Sequence, residues 1–155
     1  DLGHKRGRAR SASLDLDPPR MTAGGLERVE HRHLSFPVEP KRLFDPVAIE
    51  KLRAVAGDQG TTFVAEMAQL FLQESANALE DLKRSRDQGE WKQVTRIAHS
   101  LKSSSATLGL MRLSAACRSL ELDTKSGAAS PETPRLVAAL LDEFDRATPT
   151  LKGLA

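Results

Sequence analysis

Among the side chains that can act as nucleophile or base without activation, histidine is the first candidate, because an imidazole's unperturbed pKa of about 6.5 leaves it mostly neutral near pH 7. The 155-residue chain holds four histidines: His4, His31, His33 and His99. The first three lie in a stretch without sustained apolar period, so His99 is the one placed on a regular element. At about 100° per residue, Val94, Ile97, Leu101, Ser105 and Leu108 gather on one side of a helix, and His99 points roughly 160° away from them. His99 is therefore expected to face solvent. Its face-mates Thr95, Ser103 and Ala106 are small, which leaves room for a bulky partner, and Arg96 and Lys102, one turn to either side, bring positive charge to the same surface. Taken alone, the position is that of an ordinary solvated histidine. A metal site is not expected: neither His nor Cys stands three or four residues away, and a lone imidazole does not hold zinc.

The surrounding sequence must hold this face in place. Hydrophobic residues make up 39% of the chain and aromatics 4%, with no Tyr, so the core is built from Leu, Val, Ala, Met and five Phe, a palette that favours helices over a β-sandwich. Residues 1–41 mix Arg, Gly, Ser and Pro and read as a flexible, disordered tail or linker, although Leu26 to Leu34 could form a short helix. Order is expected from residue 42 to 155. Asp45 can cap a first helix with Pro46 at its first position and Phe44 stapled onto Ile49, running to about Ala56.

No proline occurs from Val47 to Ser130, and glycines at 57, 60, 89, 109 and 127 mark off four further helices, at about 61–88, 90–108, 110–126 and 131–148. Their apolar stripes are Phe63, Met67, Leu70 and Phe71; Val94, Ile97, Leu101 and Leu108; Leu110, Leu113, Cys117 and Leu120; and Leu136, Leu140, Phe144 and Leu151. Short connections between long helices predict an all-α, antiparallel up-down four-helix bundle with an additional short N-terminal helix.

The run from Ala98-His99-Ser100-Leu101-Lys102-Ser103-Ser104-Ser105 to Gly109, followed by Leu113 and by Cys117-Arg118-Ser119-Leu120-Glu121, resembles the signature of the histidine-containing phosphotransfer (HPt) domain family. In that signature an A-H-x-L-K-G-S-S run is followed by Gly ten residues after the histidine and by a second helix ending in C-x-x-L-E. The resemblance extends more weakly from Phe44 to about Leu151 and does not cover residues 1–41. Ser103 stands where the family commonly has Gly, which adds a hydroxymethyl group beside the docking surface.

The resemblance implies that His99 attacks the aspartyl phosphate of a receiver domain and later passes the phosphoryl group to a second receiver. Lys102 would neutralise part of the phosphoryl charge, with Arg96 as a further candidate whose alternative is a solvated charge. Glu121 would orient the imidazole by accepting a hydrogen bond from one ring nitrogen, the alternative being a solvated glutamate. Thr95, Ser103, Ala106 and Gly109 would form the partner-binding surface. Ser104 and Ser105 lie nearer the core side and permit close helix packing.

The implied partners are receiver domains of response regulators or hybrid histidine kinases in a two-component phosphorelay, and no cofactor is expected on this chain. Mg²⁺ and the hydrolysing machinery would belong to the receiver, because the sequence has no G-x-x-x-x-G-K, no kinase-like glycine loop and no acidic cluster for a metal. The chain is thus expected to be a phosphocarrier rather than an enzyme. The alternative is a helical adaptor that binds receivers without phosphotransfer. A hydrolase using His99 as general base needs a convergent Ser, Cys or metal in a pocket, which a filled small bundle leaves little room for.

A formal charge of +2 gives no field that would recruit nucleic acid, and no apolar run is long enough to span a bilayer. The single Cys117 forms no internal disulfide. These features predict a cytoplasmic protein, and a monomer is expected because the phosphotransfer that the resemblance implies needs the His99 face free; an N-terminal Asp1 suggests a fragment of a longer chain.

Overall fold

The computed structural model describes residues 42–155. The expected tail of residues 1–41, and with it the short helix at Leu26 to Leu34, lies outside the described residues. Five α-helices follow: α1 (Pro46–Ala56), α2 (Gly60–Asp87), α3 (Trp91–Thr107), α4 (Met111–Thr124) and α5 (Thr133–Leu154), with one 3₁₀ turn at Gly57–Gln59 between α1 and α2. No strand occurs among the described residues.

α1 starts as its sequence requires. The Asp45 carboxylate accepts the Val47 N–H at 3.0 Å, Pro46 occupies the first turn, and Phe44 packs against the core cluster that contains Ile49. Helix α2 begins hard against α1: a Cβ on Gly60 would stand 2.6 Å from the Arg53 carbonyl oxygen, so only glycine permits that approach.

Helices α2 to α5 form a closed ring in which α3 packs on α2 and α4, and α5 on α4 and α2, while α1 lies on α2. The direction of α3 against α4 can be read from their bonds. Thr95 meets Thr124, His99 and Lys102 meet Glu121, and Ser114 meets Lys102, so α4 descends as α3 ascends. The centre is filled by Val64, Ala68, Phe71 and Leu82 of α2, Val94, Ala98 and Leu101 of α3, Leu113, Cys117 and Leu120 of α4, and Val137, Leu140 and Leu151 of α5. This is the up-down bundle with a short leading helix that the glycine spacing and apolar periods predict.

Three expectations are corrected. Leu70, assigned to the α2 stripe, is 53% exposed, whereas Ala68 is fully buried. The stripe steps through Val64, Ala68, Phe71, Ser75, Leu79 and Leu82, and at the crowded points of the bundle a small side chain fits where a leucine does not. Helix α5 was expected to stop near residue 148, before Pro149, yet it runs to Leu154. Pro149 removes one backbone donor on an exposed face, and the fully buried Leu151 outweighs that loss by anchoring the last turn to the core. The remaining helix ends differ from expectation by one to two residues.

Gly109, expected on the partner surface, is buried. It adopts φ +74° in the turn between α3 and α4, its carbonyl accepts the Asp45 N–H at 2.8 Å, and a Cβ there would stand 2.5 Å from the Asp45 carbonyl oxygen. The glycine spaced ten residues after His99 serves the seat of α1, not contact with a partner.

Candidate functional site

Helix α3 is an amphipathic element whose buried residues are Val94, Ile97, Ala98, Leu101 and Ser105. Those positions fix the rotation of the helix and so turn His99 outward, with 62% of its side chain exposed. Below it the floor is α4. Cys117 and Leu120 are fully buried in the α3–α4 interface, which brings Glu121, the next residue, up beside the imidazole.

His99 Nδ1 lies 2.5 Å from Glu121 Oε1, and Lys102 Nζ lies 2.6 Å from Glu121 Oε2. One carboxylate therefore spans the histidine and the lysine. An ionised carboxylate only accepts, so Nδ1 must carry the proton and donate, which leaves the lone pair on Nε2, the ring atom facing away from α4. The side chain of Glu121 is 17% exposed and that of Lys102 28%, so this bridge is partly withdrawn from water while the imidazole stands in it.

Burial opposes the charge on Glu121, but the hydrogen bonds from Lys102 and His99, together with their charges, outweigh that penalty and hold its carboxyl below the usual carboxylate range. A group whose folded pKa is depressed contributes stability above its unfolded value of about 4.3 and loses it as pH falls through the folded value. The parent is therefore expected to lose thermal stability on acidification below about pH 4.3 more steeply than Glu121→Gln, a difference measurable by melting between pH 3 and 6. The same geometry predicts that ¹⁵N correlation spectra at pH 8 show Nε2 of His99 as the unprotonated nitrogen, and that Glu121→Ala gives a mixture of tautomers.

The structure brings three of the sequence-derived site residues, His99, Lys102 and Glu121, into one hydrogen-bonded group. Arg96 is exposed, one turn before His99, and makes no ion pair among the described residues. Ser103 is exposed, but its hydroxyl turns back along the helix toward the His99 carbonyl at 3.4 Å, so it offers little more than a methylene to an incoming surface. Ala106 is exposed and forms one wall of an open groove of about 360 Å³ between α1 and the end of α3, with Ala48, Leu52, Val55 and Met111.

Thr95 is differently placed from its expected role. Its hydroxyl lies 2.8 Å from Thr124 Oγ1 and 2.9 Å from the Thr124 and Trp91 carbonyls, so it ties α3 to the end of α4 instead of displaying a polar group outward.

Sequence reading passed over two polar contacts that set the α3–α4 spacing. The Ser114 hydroxyl donates to the Lys102 carbonyl at 2.9 Å, and Thr124 is fully buried against Thr95. Their signal was available: Ser114 stands one helical heptad before Glu121, on the same face. Ser105 is buried with its hydroxyl donating to the Leu101 carbonyl at 2.5 Å, and Ser104 binds its own helix, so neither is presented to a ligand. Among the described residues no group of three or more His, Cys, Asp or Glu is arranged to hold a metal ion, and no helix is long and apolar enough to cross a membrane.

The family model described as Hpt domain matches residues 66–148. No curated protein matches the chain. Among solved structures, the crystal structure of histidine-containing phosphotransfer protein B from Pseudomonas aeruginosa PAO1 is similar with a TM-score of 0.64 and 22% sequence identity, over 74% of this chain and 95% of that one. At that identity the likeness concerns the fold, whose helices carry the α3–α4 face described above.

Proposed function

The chain belongs to the Hpt domain family, and from that membership we propose that His99 is the residue through which it takes up and releases a phosphoryl group in a phosphorelay. The observation that carries the assignment to His99 is its 62% exposed imidazole, held through Nδ1 by Glu121 so that Nε2 is free.

The reaction follows from that geometry. The Nε2 lone pair attacks phosphorus of a receiver's aspartyl phosphate, the N–P bond forms as the P–O bond to the aspartate breaks, and the carboxylate leaves with the electron pair. With Nδ1 still protonated, the phosphorylated ring carries positive charge that Glu121 faces directly. Transfer to a second receiver is the same displacement in reverse. The partners are receiver domains, and any Mg²⁺ that shields the phosphoryl oxygens belongs to them.

Lys102 stands one turn after His99 and, at rest, is held by Glu121. When the phosphoryl group arrives, its ammonium can turn from one carboxylate oxygen toward the phosphoryl oxygens, a small rotation of a flexible side chain. Lys102→Ala is accordingly expected to slow transfer about tenfold, the worth of one partly exposed charge-assisted contact of about 1.5 kcal/mol, as read by single-turnover transfer from a phosphorylated receiver. An unchanged rate would remove Lys102 from the reaction. The acceptor assignment itself is tested by incubating the chain and its His99→Gln variant with a receiver domain phosphorylated by acetyl phosphate. Label on the parent and none on the variant is the expected result.

A further inference from the structure

The charges of the described residues are unevenly distributed. On α2 all three cations are matched on their own helix, Lys83 by Glu80, Arg84 by Asp81 and Arg86 by Asp87, and on α5 Arg135 pairs with Glu132 and Arg146 with Asp142, which leaves only Lys152 in the last turn without an ion pair among the described residues. The α3–α4 face is different. Lys92, Arg96, Arg118 and Lys125 are all exposed and make no ion pair among the described residues. The acids within these two helices are Glu121, spent on His99 and Lys102, and Asp123, whose carboxylate accepts from the hydroxyls of Ser130 and Thr133.

Helix geometry places the four free cations around the imidazole. On α3, Lys92 and Arg96 lie within about 60° of His99 in rotation, two turns and one turn before it. Arg118 on α4 and Lys125, which continues the helical course as the C-cap of α4, stand one turn to either side of Glu121, both within about 60° of its direction. Because α3 and α4 are antiparallel, Arg118 falls beside Lys102, and Lys125 beside Thr95. Leu122, 41% exposed, adds an apolar contact at the α4 edge. An open hollow of about 460 Å³ lined by Trp91, Lys92, Arg96 and Gly127 continues the basic surface to the foot of α3.

We propose that this basic ring is the specificity surface of the module, and that it selects receiver domains whose phosphorylated aspartate is bordered by an acidic rim. The proposal rests on His99 being the acceptor, since the ring is centred on it. A protein partner fits better than a nucleic acid: the ring encloses a carboxylate and is bordered by an exposed leucine, features that interrupt a phosphate track and suit a folded surface. Unpaired rim charges act mainly on the rate of encounter, with effects of about 10- to 1000-fold at low ionic strength that fade as salt screens them.

The test uses the full chain and a charge-reversal variant, Arg96→Glu/Arg118→Glu/Lys125→Glu, with Arg146→Glu on α5 as control. Each is mixed with two phosphorylated receiver domains of known structure, one acidic and one basic around its aspartate, at 50 mM and 500 mM NaCl. Binding of the unphosphorylated receivers is followed in parallel by fluorescence anisotropy.

With the acidic receiver at 50 mM NaCl, the triple variant is expected to lose at least tenfold in the second-order rate of transfer and in affinity. The difference should vanish at 500 mM NaCl, and the Arg146→Glu control should match the parent. Equal rates and affinities for parent and triple variant would overturn the proposal, as would preference for the basic receiver or tighter binding of a uridine 20-mer than of the acidic receiver. Charge-dependent binding without any label on His99 would leave the ring standing and overturn the acceptor assignment, so the two failures are separable.

Discussion

His99→Gln is expected to abolish phosphoryl uptake, to below a hundredth of the parent rate, while leaving the bundle intact. The side chain is 62% exposed and its one hydrogen bond among the described residues runs to Glu121. A glutamine there keeps a donor for that carboxylate and removes the nucleophile, so the circular dichroism spectrum should be unchanged and the free energy of urea unfolding should move by no more than about 0.5 kcal/mol, the usual range for a surface substitution. Loss of label together with loss of fold would mean that His99 is a structural residue. Label retained at the parent level would mean that another group accepts the phosphoryl.

The largest expected effect on stability lies elsewhere, at Gly109. Val at this position must adopt φ near +74°, a region that costs an ordinary residue roughly 1–2 kcal/mol and a β-branched one more. Its Cβ would also stand 2.5 Å from the Asp45 carbonyl oxygen and 3.0 Å from Ala48 Cβ. The start of α1 must therefore move, and the bond from the Asp45 N–H to the Gly109 carbonyl is broken, a further ~1 kcal/mol. Together these give about 3 kcal/mol or more by urea unfolding. Gly89→Ala separates the two causes. Gly89 has φ +71° in the turn between α2 and α3, where a Cβ would come no nearer than 3.9 Å, to the Trp91 indole nitrogen, among the described residues, so it should cost only the conformational part, about 1 kcal/mol. Equal losses in the two variants would show that the seat of α1 on the α3–α4 turn is not what Gly109 protects.

These two positions also show what could be read before the structure. The outward direction of His99 follows from the rotation of its helix, because Val94, Ile97, Leu101 and Ser105 leave the bundle no other way to close, and the structure has it so. Gly109 could be located but not interpreted. Its spacing from His99 is visible in the chain, whereas its reason, the approach of Asp45 and Ala48, depends on how a helix sixty residues earlier comes back over the turn. Thr95 fails for a related cause: rotation places it near His99, but only the presence of Thr124 across the interface draws its hydroxyl away. Leu70 and the end of α5 show the limits of local pattern. A leucine inside an apolar period is indistinguishable from a core residue until the neighbouring helix claims the space, and Pro149 stops a helix only where no buried residue beyond it holds the next turn. The basic ring is written in the sequence as Lys92, Arg96, Arg118 and Lys125, but its coherence appears only when the antiparallel register sets α4 beside α3.

In the proposed relay the link between Glu121 and His99 would give the site its internal logic. A carboxylate placed under the imidazole would fix which nitrogen is nucleophilic, balance the positive charge of the phosphorylated ring, and keep Lys102 within reach of the phosphoryl oxygens. None of these functions needs a pocket, which agrees with an acceptor on an open helix face that a second protein must cover.

The most direct measurement is to phosphorylate the full chain from a receiver domain and locate the label by electron-transfer fragmentation, together with ³¹P spectroscopy of the intact product. A single acid-labile, alkali-stable phosphoryl group on Nε2 of His99 is the expected result. Label on Nδ1, on His4, His31 or His33, or on a carboxylate or hydroxyl side chain would contradict it.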